Sequence, residues 1–169
     1  MEVYMKKIMI LVLIMIALFG CGTNQKKVNN CISKAKNYVN QKEFKKAISI
    51  LKIGIPMVTE LEALDNSFGT SNATFDMQNL ISSPHKDTAK KISYLLGYSY
   101  LMEKEGELAM KYSSIAFSCD ETDSQALFIF GWSQANAGYD YEGKNTIILA
   151  AKMGNSSAKA FANKVGWYY

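Results

Sequence analysis

Small residues recur along this chain at a fixed interval. Gly97 and Gly131 are 34 residues apart, and so are Ala116 and Ala150. Leu96-Gly97, followed by Tyr100, Ala109 and Ala116, is echoed by Phe130-Gly131 and Ala150. Small residues let paired helices approach closely and large ones fill the gap between them, so the interval points to one helical unit stacked on the next. A third candidate unit lies upstream, where Ala35, Tyr38, Phe44, Ala47, Leu51 and Gly54 run small, aromatic, aromatic, small, large and small. Ala35 and Gly97 are 62 residues apart, which is one interval plus 28. The stretch from about 60 to 88 is therefore an insertion or a degenerate unit.

Local composition agrees with helices. Alanine, leucine, lysine and methionine dominate the periodic segments, the only prolines are Pro56 and Pro84, and sustained alternation of apolar and polar residues is missing. The pattern predicts helices near 28–40, 43–55, 57–66, 86–103, 105–118, 122–137, 142–153 and 156–166. The turn formers of 67–74 predict a loop, and 75–83 has room for one more short helix before Pro84.

The interval of 34, Leu-Gly-x-x-Tyr and the later alanines together resemble the tetratricopeptide repeat. The resemblance implies an all-α fold: a right-handed superhelix of antiparallel helix pairs, about three repeats over residues 28–169, with a C-terminal capping helix carrying Phe161. The chain departs from the family pattern at Gln134, Gly143 and Ser113, and every copy lacks the closing proline. In that family the inward faces of the first helices line a concave peptide-binding surface. The register carries this role onto Tyr94, Tyr98, Leu101 and Met102 in one copy and Phe128 and Trp132 in the next. Tyrosine and tryptophan expose large area at small entropic cost, which suits recognition of an apolar or extended peptide. Either the face is open to a partner, or the 60–88 insertion or the C-terminal helix fills it.

The first 22 residues carry a separate message. Lys6 and Lys7 precede an apolar run from Ile8 to Phe19, which ends at Gly20-Cys21. A membrane span needs about 20 apolar residues, so this shorter run reads as an export signal. Cysteine directly after a small residue resembles the bacterial lipobox. That resemblance implies cleavage after residue 20, acylation of Cys21, a short tether over 21–27 and an extracytoplasmic domain held at a bacterial membrane, with the outer membrane one destination. Residues 26–54 hold eight lysines and a single acid, Glu43, whereas 55–123 hold 11 acids and five lysines. The basic segment suits an anionic bilayer surface or simply a solvated helix face.

Other chemistry is thinly represented. Arginine is absent, so no guanidinium fork exists to grip phosphate, and nucleic acid is not an expected partner. His85 is the only histidine and stands in a helix-start motif, Ser82-Ser83-Pro84-His85, with Ser83 or a neighbour as cap. It cannot build a zinc site alone. Glu103, Glu105 and Glu107 surround an expected turn and read as solvated rather than as a catalytic pair. Gly138 to Asn145 mimics a phosphate loop, but Asn145 stands where a magnesium-binding hydroxyl belongs, so nucleotide is not expected. Cys31 and Cys119 read as two separate buried thiols, or as a pair if the fold brings them into contact in an oxidising compartment. No metal, cofactor or enzymatic activity is implied. The expected function is a non-catalytic adaptor holding an envelope protein or peptide at the membrane. The alternative is an accessory lipoprotein that encloses a small apolar molecule.

Overall fold

The computed structural model describes residues 24–168, and these form an all-α chain with no strand. Helix α1 covers 24–40. It is followed by α2 (Phe44–Gly54), a 3₁₀ turn (Ile55–Met57), α3 (Thr59–Ser67), α4 (Ala73–Ser82), α5 (Lys86–Met102), α6 (Gly106–Cys119), α7 (Ser124–Asn136), α8 (Asp140–Lys152) and α9 (Ser156–Lys164). Every helix expected from periodicity is present, with ends displaced by a few residues. The start of α1 is the exception: residues 24–27, expected to be tether, are helical. Gln25 Nε2 there donates to Asn29 Oδ1 one turn on, at 3.2 Å, and to Thr88 Oγ1 at 3.3 Å, which ties this turn to α5.

The main helix contacts are α5 with α6, α7 with α8, α6 with α7 and α2 with α5. Close approach explains the small residues. A β-carbon on Gly97 would stand 2.9 Å from the Ser113 backbone nitrogen, and one on Gly131 would stand 2.9 Å from that of Ile147. Ser113 and Ile147 are themselves one interval apart. A β-carbon on Gly143 would stand 2.7 Å from both the Ala135 nitrogen and the Gly131 carbonyl oxygen, so this glycine is a helix contact, not part of a phosphate loop. The core is continuous from Val28 to Ala158 and includes Leu51, Leu96, Ile115, Ile129 and Ile147.

The turns inside the helix pairs are alike. Lys42 (φ 59°), Lys104 (φ 65°) and Gly138 (φ 92°) all hold left-handed backbone at matching positions. The start of α7 is capped by Asp123, whose carboxylate accepts from the Gln125 and Ala126 amides at 2.9 and 3.1 Å. Asn155 caps α9 through the Ala158 amide at 2.8 Å and donates to Gln125 Oε1 at 2.8 Å, fastening α9 to α7.

The interrupting stretch forms α3 and α4 as a satellite beside α5 and α6. Leu61, Leu64 and Leu80 are fully buried. Asp65 pins it: Tyr112 Oη donates to Oδ1 at 2.7 Å, and Lys111 Nζ reaches the carboxylate and the carbonyl at 2.8 Å each. Burial, followed by the Asp65 carboxylate, pushes the Tyr112 hydroxyl far above its ordinary range. Cys31 and Cys119 are both buried and free. Burial pushes the Cys119 thiol up to about 11, which leaves it protonated and unreactive at neutral pH.

Candidate functional site

Tyr94 and Tyr98 stand one turn apart on α5, and Phe128 and Trp132 one turn apart on α7. The chain separates the two pairs by a helical hairpin, yet all four line one open groove of about 580 Å³. Its third wall is α9. The Phe161 ring lies 6.3 Å from that of Phe128 and 6.1 Å from that of Trp132, and Trp167 packs on the other side of Phe161 at 5.7 Å. At the opposite edge Phe44 of α2 meets Tyr98 edge-on at 6.0 Å. The groove is therefore framed by α5, α7 and α9, with Phe44 of α2 backing Tyr98, and its rings hold one another in place.

Burial divides the six expected contact residues. Tyr94, Tyr98 and Trp132 are half-buried and line the groove. Phe128 is only 5 % exposed, so it forms the floor and offers little surface. Leu101 is 3 % exposed and belongs to the core, because α2 packs along α5. Met102 is half-buried but does not line the groove. Leu101 and Met102 are thus corrected to packing positions. The 60–88 stretch does not enter the groove; the C-terminal helix contributes a wall to it without closing it.

Sequence reasoning missed Gln125 and Phe161 as lining residues. Gln125 stands one turn before Phe128 on α7, a spacing that places it on the same face; Phe161 was expected only as core. A second concavity of about 240 Å³ adjoins the groove at Tyr94 and Gln125 and is edged by Lys36, Lys90 and Lys91. Lys90 is neutralised there, with Asp120 and Asp123 carboxylate oxygens both at 2.7 Å. Lys36 and Lys91 remain exposed to solvent. Burial pushes the Tyr94 hydroxyl above its ordinary value, so it stays a neutral hydrogen-bonding group.

The remaining candidates fall outside this groove. His85 Nδ1 lies 3.2 Å from Glu60 Oε2, bridging α3 to the start of α5. Ser83 Oγ accepts from the His85 amide at 3.2 Å rather than capping α5, correcting the expected cap. Glu103 and Glu105 flank the α5–α6 turn, where Glu103 comes within 3.8 Å of Lys45. Among the described residues no three His, Cys, Asp or Glu side chains gather as a ligand set. Cys21 and the export signal lie outside the described residues, within which no helix is long and apolar enough to cross a membrane.

In comparisons with family models, curated proteins and solved structures, nothing matches this chain.

Proposed function

We propose that this protein is a lipid-anchored, non-catalytic adaptor of the bacterial envelope, whose tetratricopeptide-like helix pairs form a shallow superhelix and receive an extended, apolar peptide segment of a partner protein. The observation that carries the reading is the groove between α5, α7 and α9. It is open, it is walled by half-exposed Tyr94, Tyr98 and Trp132, and the polar residues that line it besides the tyrosines are Gln125, Ser157 and Lys164. An open aromatic groove accommodates a chain that enters and leaves, whereas a carrier of a small apolar molecule needs an enclosed cavity. The anchor rests on the run from Lys6 to Cys21.

Site-specific photo-crosslinking in the native cell tests the groove. A benzophenone side chain at Tyr98 is expected to capture one envelope protein that the same group at the exposed Glu142 does not. Capture from both positions, or from neither, removes the adaptor reading, and a small apolar molecule released from the purified protein favours the carrier. For the anchor, palmitate labelling is expected in the wild type and lost in Cys21→Ser.

A further inference from the structure

The two ends of the helix stack are finished differently. At the C-terminal end α9 packs on α8 and touches α7, and its own exposed residues are Ser156, Ser157, Ala160, Asn163 and Lys164, although Leu149, Met153, Val165 and Tyr168 beside it are exposed as well. The first pair has no such cover among the described residues. On α1 and α2, Tyr38, Ile50 and Ile53 line a shallow depression of about 340 Å³ together with Ser49, Lys46 and Lys45, the last of which reaches Glu103 at the end of α5 at 3.8 Å. Ile53 is 55 % exposed.

This apolar strip is ringed with positive charge. Lys34 lies one turn before Tyr38 on α1, Lys42 occupies the turn between the helices, and Lys46 stands over the Tyr38 ring at 5.8 Å. The one acid of the pair, Glu43, is held by Lys46 at 2.9 Å. Lysine stems lying along isoleucine and tyrosine, with ammonium heads outside, suit a surface that is apolar beneath and anionic on top. The position fits as well. Between Cys21 and Asn24, the first described helical residue, the chain spans at most about 10 Å, so an acyl anchor brings this same end of the stack to the bilayer.

We infer that the outer face of the α1–α2 pair, formed by Lys34, Tyr38, Lys42, Lys46, Ile50 and Ile53, docks on the anionic headgroups of the membrane. Resting on the proposed anchor, this assigns the protein an orientation: the stack stands with its first pair on the lipid, and the aromatic groove, on later helices, is presented away from the membrane surface. Phosphate oxygens of lipid headgroups are the counter-charges, and the isoleucines and tyrosine sit at the headgroup and acyl boundary.

Lysine footprinting of the full-length protein, purified from membranes and reconstituted in vesicles, tests the inference. Labelling of Lys34, Lys42 and Lys46 by a water-soluble acylating reagent is expected to slow at least about fivefold when phosphatidylglycerol is added to phosphatidylcholine, the factor that matches one lysine's attraction to an anionic surface. Lys144 and Lys152, exposed on α8, are expected to react equally in both vesicles. The double variant Lys34→Glu/Ile53→Asp should restore labelling of Lys42 and Lys46, and a melting curve confirms that it folds. Equal labelling of the α1–α2 lysines in both vesicles, or slowing that extends equally to Lys144 and Lys152, overturns the inference. Intact mass reads the anchor separately. If no acyl group is found, the anchor fails on its own, and the face is then scored by salt-sensitive co-flotation of the protein with the anionic vesicles, whose absence overturns it.

Discussion

Gly97 and Ser113 face each other so closely that a β-carbon on the glycine would stand 2.9 Å from the serine's backbone nitrogen and 3.1 Å from its Cα. Backbone cannot yield as the far end of a flexible side chain can, so α5 and α6 must separate if the position is enlarged. Gly97→Ala is therefore expected to lower stability by about 1–3 kcal/mol, even though alanine is the better helix former by about 1 kcal/mol. Gly97→Leu should cost more. Urea unfolding measures both, and a Gly97→Ala protein at least as stable as the wild type contradicts the close α5–α6 contact.

The turns predict a change in the opposite direction. Lys104 holds φ at 65° where the matching residue of the next pair is Gly138. A side chain in left-handed backbone costs about 1–2 kcal/mol, and the greater freedom of glycine in the unfolded chain returns part of that. Lys104→Gly is expected to stabilise by about 0.5–1 kcal/mol, and Lys42→Gly by a similar amount. Thermal melts that shift downward for both would show that these turns are unstrained.

Most of the helix order was legible because small residues at a fixed interval are a packing requirement: Gly97, Gly131 and Gly143 each meet backbone that excludes a side chain. The groove was legible in part. Tyr94, Tyr98 and Trp132 follow from the register, but whether a residue on that face is floor, wall or core depends on neighbours distant in sequence. Leu101 is core through α2, and Phe128 is floor through α9. The satellite formed by α3 and α4 was visible only as a break in the interval. Its attachment combines the burial of Leu61, Leu64 and Leu80 with Asp65 meeting Lys111 and Tyr112, a polar contact across more than forty residues that no periodicity announces.

Acid should loosen the joint between α5 and α7. The Lys90 ammonium, with help from the Thr122 hydroxyl, holds the Asp120 carboxyl down at about 2, below the ordinary unfolded value of about 3.9. A depressed folded pKa stabilises the native state above the unfolded pKa, and that contribution is lost as pH falls through the folded one. Stability is expected to decline between about pH 4 and pH 2 by more in the wild type than in Asp120→Asn, because the variant keeps only the Asp123 carboxylate on Lys90. Parallel melting-temperature profiles for the two proteins across that window would rule the contribution out.

Trp132 joins the stability of the groove to its use. Its ring packs against Phe128, at 5.8 Å, and Phe161, at 6.1 Å, in a triangle of three rings, yet the residue is only half-buried. A fully buried ring costs about 3–5 kcal/mol on truncation to alanine, so Trp132→Ala should cost about 2 kcal/mol and leave the protein folded at room temperature. Because Phe161 leans on the same ring, the losses from Trp132→Ala and Phe161→Ala should fall short of additivity by about 0.5–1.5 kcal/mol in a double-mutant cycle. Under the proposed adaptor function, the exposed half of the ring is the part a peptide would meet. Partner binding, measured well below the melting temperature, is expected to weaken by about 2 kcal/mol or more in Trp132→Ala and also to weaken in Tyr98→Ala, which loses the opposite wall. Undiminished binding by both variants would place the partner on another face of the domain.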